Sequence, residues 1–383
     1  MNVAELPINM KKRVYFENLD GLRFFCILSV FLYHSFYTEN QAIIHSSFYH
    51  FLKYKLVANG NLGVNFFFVL SGFLITYLLI VEKKMNMNVD LKSFWIRRML
   101  RIWPLYYFCV FFGFVLFPLF KNLFGGVPHE LANPYYYLTF LGNFDLLYNA
   151  PPDASVLTVL WSVAIEEQFY FVWPVIIYFI PLKKLWIPFL IIIGSSIAFR
   201  AYNNNSLINE LHTLSCIGDM TVGAFGAWLV ITYDAFKIRI NILPKYFIAF
   251  LYFLFSVFYF WRIDIENLGF YFKLFERLFI AVIILFIILE QSYANKSFFK
   301  MSSFKRISNL GVISYGLYCF HFIGILIVTT LTRKLGWNTH LWQVIVLETT
   351  LAFIVSVLIS KVSYKYFESP FLKFKNKFSY ITK

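Results

Sequence analysis

Residues 19–37 read L-D-G-L-R-F-F-C-I-L-S-V-F-L-Y-H-S-F-Y, an apolar run long enough for a helix that crosses a bilayer. Two ionisable residues, Arg23 and His34, interrupt it. Their spacing at roughly 100° per residue comes to about three turns, so both side chains leave nearly one face. At roughly 1.5 Å per residue they lie about 16 Å apart along the axis and cannot touch. A charged group near one membrane face and a titratable group near the other, on one stripe, suggests a shared path across the membrane. The plainer reading is that Arg23 snorkels to the headgroups and His34 does the same at the far end.

Composition agrees with a membrane protein. Of 383 residues, 60% are hydrophobic and only 14% charged, where a soluble domain is nearer a quarter charged. No polar stretch is long enough to build a water-soluble core. The chain is therefore expected to be all-α, a polytopic integral membrane protein with ten spans. They fall at about 19–37, 62–81, 102–120, 159–180, 185–202, 212–233, 243–261, 271–290, 308–331 and 342–363. Residues 1–383 read as one membrane domain: a cytosolic lead at 1–18, a ten-helix bundle at 19–363 and a cytosolic tail at 364–383. The polar lead carries Lys11, Lys12 and Arg13 and lacks the features of a cleavable signal.

The net charge of +14 is not a nucleic-acid signature, because the basic residues sit in short clusters between apolar runs. With the N-terminus inside, the cytosolic segments hold 24 Lys and Arg, the opposite segments nine, and Arg23 lies within the first span. This asymmetry predicts N-in and C-in. The four cysteines, Cys26, Cys109, Cys216 and Cys319, lie in apolar runs without metal-ligand spacing. No metal site is expected.

Several polar groups stand inside or beside the apolar runs. The second span carries Asn65, Gly72 and Thr76 near one stripe, which predicts close helix packing. Arg97, Arg98 and Arg101 precede Trp103-Pro104; guanidinium groups there can bind phosphates bidentately, or simply mark topology and meet anionic lipid. Glu166 and Glu167 lie within the fourth span, where a carboxylate needs a partner or a proton. Their depth makes His34 the expected partner, with a salt bridge to an arginine as the alternative. Gly311, Ser314, Tyr318 and His321 form one polar stripe on the ninth span, and Asp219 stands alone in the sixth. The loop at 121–158, with Asp145, Asp153 and Asn133 to Tyr137, has room for a short interfacial helix, its aromatics serving as belt residues. Glu368 and Pro370 read as a structural stop.

Taken in order, six motifs resemble the acyltransferase 3 family of membrane acyltransferases. They are Arg23 with His34; G-V-N-F-F-F-V-L-S-G-F-L-I; R-R-M-L-R-I-W-P-L-Y-Y; L-W-S-V-A-I-E-E-Q-F-Y-F-V-W-P; I-S-Y-G-L-Y-C-F-H; and Y-F-E-S-P. They span Asp20 to Pro370. The chain departs from many members by lacking an arginine near Cys216, and it ends about a dozen residues past the last motif, without the fused SGNH-type domain many members carry.

The resemblance implies an O-acyltransferase that moves an acyl group, acetyl first of all, from acyl-CoA to a hydroxyl of an exported or surface saccharide such as O-antigen, capsule or exopolysaccharide. It implies acyl-CoA as donor with no tightly bound cofactor, an inner or cytoplasmic membrane location, and a place in a glycan-biosynthesis complex. Arg23, Arg97, Arg98 and Arg101 would hold the CoA phosphates. His34 would act as general base, with Glu167 or Glu166 orienting the imidazole or holding the acceptor, while Tyr318, His321 and Ser314 line the tunnel or stabilise the oxyanion. Direct transfer and a covalent intermediate at Ser71, Ser162 or Ser314 both fit. The rival reading is a flippase for a lipid-linked saccharide that uses the same polar stripe as its path.

Overall fold

A computed structural model of the chain describes residues 15–203 and 205–378. Lys11, Lys12 and Arg13 lie outside the described residues. Among the described residues every regular element is helical. Seven helical segments are long and apolar enough to cross a membrane: Leu62–Asn86, Leu91–Leu123, Leu182–Tyr202, Thr213–Thr232, Lys245–Glu266, Ser314–Lys334 and Gln343–Lys375. The protein is a multi-pass membrane protein. The other three expected spans do form helices, Glu17–His34, Leu160–Phe179 and Phe270–Tyr293. They fall outside that set of seven. They carry Asp20 and Arg23, Glu166 and Glu167, and Glu276, Arg277 and Glu290 respectively.

In chain order the principal helices are α1 (Glu17–His34), α2 (Leu62–Asn86), α3 (Leu91–Phe111), α4 (Leu160–Phe179), α5 (Trp186–Tyr202), α6 (Thr213–Thr232), α7 (Lys245–Glu266), α8 (Phe270–Tyr293), α9 (Lys305–Val312), α10 (Ser314–Lys334) and α11 (Thr349–Ser363). Helices α2 and α6 sit at the centre. One side of the pair packs into a core with α3, α4 and α10, the other into a core with α8, and α1 joins both. Small residues make this possible. A Cβ on Gly72 of α2 would lie 1.9 Å from the Met220 carbonyl oxygen of α6, and one on Gly223 would lie 1.9 Å from the Val69 carbonyl oxygen of α2. Asn65 and Gly72 of the face read in the second span thus meet α6, while Thr76 meets α4. Asn65 donates to Asp219 at 2.9 Å, and Thr76 accepts from the Trp173 indole at 2.7 Å.

Several boundaries differ from the sequence expectation, each for a local reason. Helix α3 begins at Leu91, because the Asp90 side chain caps it by accepting from the Ser93 amide at 2.9 Å. Arg97, Arg98 and Arg101 therefore ride on the same helix as the apolar run. The expected ninth span breaks at Ile313, so Gly311 belongs to α9 and not to the stripe on α10. A Cβ at Gly311 would sit 1.7 Å from the Asp20 carbonyl oxygen, so this glycine seats α9 against α1. Glu368 does not stop a helix: α11 runs on through a wide turn at Tyr364–Glu368 to Lys375, and the Glu368 carboxylate is buried and accepts from Ser363.

The loop at 121–158 folds into three short helices, Pro134–Leu138, Gly142–Tyr148 and Ser155–Thr158. Tyr135 is exposed like a belt residue, but Tyr137 is fully buried. Lysines close several helix ends by donating to carbonyls that lack an intrahelical partner. Lys83 reaches those of Ile177, Tyr178 and Ile180 at the end of α4, and Lys53 those of Tyr33 and Ser35 at the end of α1.

Candidate functional site

The last residue of α1 meets the middle of α10. His34 Nδ1 lies 3.1 Å from His321 Nε2, with ring centroids 5.1 Å apart and the planes 29° from parallel. His321 is fully buried, and its Nδ1 lies 2.6 Å from the Tyr318 carbonyl oxygen, one turn earlier on the same helix. A carbonyl only accepts, so that contact places the proton on His321 Nδ1. Neutral His321 then presents a lone pair at Nε2, and His34 Nδ1 must donate to it. The remaining nitrogen, His34 Nε2, then carries a lone pair; the His34 ring also meets the Val30 backbone one turn earlier on α1. The chain carbonyl–His321–His34 therefore fixes one tautomer at each ring and leaves an unprotonated nitrogen on half-buried His34.

This pairing corrects the expectation that a glutamate orients His34. Neither Glu166 nor Glu167 hydrogen-bonds to His34. Glu166 Oε1 accepts from Ser71 Oγ at 2.7 Å, and Glu167 Oε2 accepts from the Trp103 indole at 2.7 Å. Arg98 is an electrostatic neighbour of both, and Arg101 of Glu166. Neither glutamate forms an ion pair with an arginine, and Glu167 Oε1 is buried without a hydrogen-bond partner; both carboxyls sit among apolar helices within electrostatic reach of guanidinium groups.

The four arginines separate into two kinds. Arg101 is exposed and lies within electrostatic reach of both Arg23 and Arg98. Arg98 stacks over Phe94 at 5.6 Å, and its Nε is buried without a hydrogen-bond partner. These two, with Arg23, gather positive charge at one end of the bundle. Arg23 pairs with buried Asp20, which also accepts from the Tyr15 hydroxyl. Arg97 turns elsewhere. It pairs with Glu82 at 3.1 Å and donates to the Phe378 carbonyl at 2.7 Å, fastening α3 to the end of α2 and to the C-terminal segment.

A hydroxyl pair joins α10 to the start of α4. Tyr318 Oη lies 3.0 Å from the Val159 carbonyl and 2.6 Å from Ser162 Oγ. Ser162 Oγ also lies 3.4 Å from the Val159 carbonyl, so the two hydroxyls and this carbonyl close a triangle at the start of α4. The expected oxyanion donor at Tyr318 is committed to the entry of α4 and acts as a clamp. Ser314 is buried in the first turn of α10, one turn from Tyr318. Among the described residues, no group of three or more His, Cys, Asp or Glu side chains is arranged to hold a metal ion.

Sequence reasoning missed one partnership entirely. Asp219 does not stand alone: Arg277 of α8 binds it at 2.9–3.0 Å through Nη2 and Nε, and Asn65 adds a third contact. The guanidinium absent near Cys216 is supplied from another helix. The only signal available was that Arg277 interrupts an apolar run, as Arg23 does.

The chain matches the acyltransferase domain of a known family over residues 16–362. It is 26% identical to the putative peptidoglycan O-acetyltransferase YrhL of Bacillus subtilis, covering 93% of this chain and 55% of that protein. It is 27% identical to the peptidoglycan O-acetyltransferase OatA of Listeria monocytogenes, with 94% and 56% covered. It is 28% identical to the O-acetyltransferase OatA of Staphylococcus aureus, with 94% and 57% covered. The chain thus spans a little over half the length of these curated relatives. No solved structure matches. With its six motifs in order and the match running over nearly the whole bundle, the chain belongs to the acyltransferase 3 family.

Proposed function

We propose that the protein is a membrane O-acetyltransferase that moves an acetyl group from acetyl-CoA to a hydroxyl of an exported cell-wall or surface saccharide. The observation that carries this reading is the His34–His321 pair, with its lone pair left on His34 Nε2, standing at the opposite end of α1 from the arginines. The relatives named as peptidoglycan O-acetyltransferases support acetyl as the group and a cell-wall glycan as the acceptor. The reading includes ten spans with both termini cytosolic, in the inner or cytoplasmic membrane. It puts the arginine end inside, where CoA is available, and the histidine end outside.

In this scheme Arg98 and Arg101, with Arg23, hold the nucleotide phosphates. The thioester arm follows α1 for the roughly 16 Å to His34. His34 Nε2 removes the proton of the acceptor hydroxyl as its oxygen bonds to the thioester carbonyl carbon. The tetrahedral intermediate then expels the CoA thiolate, which takes the proton back from His34. His321 holds the imidazole in its tautomer and stabilises the transient imidazolium. Glu166 and Glu167 offset the charge of Arg98 from within electrostatic reach. Direct transfer fits the geometry better than an acyl-serine: the Ser71 proton is directed to Glu166, Ser162 is engaged with Tyr318 and the Val159 carbonyl, and no described serine hydrogen-bonds to either histidine. The acceptor saccharide and a glycan-assembly complex are the expected partners.

The deciding experiment is transfer of labelled acetyl from acetyl-CoA to cell-wall glycan by membranes carrying wild-type protein or His34→Ala. Loss of transfer with unchanged protein level supports the reading; wild-type transfer by the variant removes it.

A further inference from the structure

At the histidine end of the bundle, away from the imidazoles, five helices bring eight charged groups together. Arg200 comes from α5, Asp219 from α6, Arg262 and Glu266 from α7, and Lys273, Glu276 and Arg277 from α8. Glu210 comes from the short helix Ser206–Leu211. The four carboxylates are already engaged. Asp219 is held by Arg277 and Asn65, Glu276 and Glu266 by Arg262, and Glu210 by Asn61.

Arg200 is the exception. It is only 8% exposed, yet its Nε and Nη1 have no hydrogen-bond partner. A guanidinium does not escape by losing its proton, and burying it unpaired is costly. It lines a small cleft with Asn203, Asn209, Phe270, Lys273 and Leu274, a lining with two cations and no carboxylate. Asn209 Oδ1 is also buried there without a partner. The same cleft therefore offers unused donors and an unused acceptor. Phe270, 53% exposed at its rim, presents a ring on which a sugar can lie.

We infer that this cleft is an oxyanion subsite for an acidic saccharide: Arg200 takes a carboxylate or phosphate of the acceptor, Asn209 Oδ1 accepts from a neighbouring hydroxyl, and Phe270 supports the ring. The inference deepens the acetyltransferase reading and rests on it for the identity of the ligand as acceptor. The cleft, about 20 Å³, takes a single oxygen of that anion, and the rest of the glycan extends along the surface toward His34. Glu210 and Arg262 of this cluster are electrostatic neighbours of Tyr33, the residue before His34, so the two sites share one end of the molecule.

The test is direct binding, which needs no acetyl-CoA turnover. The full chain, in nanodiscs of zwitterionic phosphatidylcholine, is titrated with a glucuronate-containing disaccharide and with its methyl ester. The acid is expected to bind at least about ten-fold more tightly, the range of a charge-assisted hydrogen-bond pair. Arg200→Gln erases that preference, Arg200→Lys keeps part of it, and Asn209→Ala weakens acid and ester alike. Equal binding of acid and ester, no binding of either, or an acid preference that survives Arg200→Gln overturns the inference. A parallel arm adds phosphatidylglycerol to the disc. If lipid phosphate binds in an Arg200-dependent way while the saccharides are not discriminated, the cleft is a headgroup site and the inference fails. If Arg200→Gln does not fold, the acid–ester comparison in wild type and Arg200→Lys still decides. Failure of the acetyltransferase reading is separate, seen as absence of acetyl-CoA turnover in wild type.

Discussion

The chemistry proposed for this chain depends on one nitrogen, His34 Nε2, and on the contacts that leave it unprotonated. Removing the imidazole in His34→Ala is expected to lower acetyl transfer by about 10²–10⁴-fold, the usual contribution of a general base. His321→Gln keeps bulk but cannot relay the Tyr318 carbonyl to His34. Its kcat is expected to fall while the KM for acetyl-CoA stays near wild type, since His321 is far from the arginines; an unchanged kcat sinks the relay. At the other end, Arg98→Ala is expected to raise that KM about ten-fold or more with little change in kcat, because it removes phosphate binding and not a proton acceptor. Arg97→Ala is expected to act differently, lowering thermal stability without a selective effect on KM, because Arg97 is tied to Glu82. Steady-state kinetics on solubilised protein separate these outcomes. His34, Arg23, Arg98 and Arg101 were legible from residue type and position alone, since an ionisable group beside or within an apolar run stands out. The role of His321 was only half legible: its helix face could be read, its partner could not.

At the scale of elements, the fold is set where helices approach too closely for a side chain. Gly72 and Gly223 let α2 and α6 meet backbone to backbone. Gly223→Ala places a methyl against a carbonyl that cannot rotate away. It is expected to cost at least about 1–3 kcal/mol, as overpacking does, and to appear as a lowered melting temperature in detergent. Arg277→Leu strands Asp219 as a buried charge and is expected to cost about 3–5 kcal/mol, with Asp219→Leu in the same chain restoring part of it. The loop at 121–158 carries a pH-dependent latch. Lys121 meets Asp153 at 2.6 Å, and the His129 amide donates to the same carboxylate at 3.0 Å. Burial alone would raise the Asp153 carboxyl, but Lys121 and the His129 amide outweigh it and hold it below its ordinary value. A depressed carboxyl contributes stability above its unfolded value, roughly pH 4, and loses it as pH falls through the folded value. Limited proteolysis of this loop should therefore accelerate below about pH 4 in wild type and already be fast at neutral pH in Asp153→Asn.

At the scale of the whole molecule, the two ends differ in chemistry and the proposed topology assigns each a compartment. Met87, 86% exposed, lies at the arginine end, and Tyr135, 75% exposed, at the histidine end. The four native cysteines are buried and unpaired, so they give little background to a thiol probe. Met87→Cys is expected to react with an impermeant maleimide only from the cytosolic side, and Tyr135→Cys only from outside. Labelling of both from one side would remove the cross-membrane path. The surplus of lysine at the proposed inner surface does structural work as well, since Lys83 and Lys84 bind helix-end carbonyls there.

What the sequence determined by itself is the class and the cast. Apolar runs of bilayer length dictate helices, because no other single segment satisfies its backbone in lipid, and a charge or imidazole inside such a run is visible without any contact. What only the tertiary structure decided is the partnership. Helical period fixes which face a side chain takes, but not which helix lies opposite or at what depth. That is why Glu166 and Glu167 settle among the arginines, why Asp219 finds Arg277 some sixty residues away, and why His34 is oriented by another histidine.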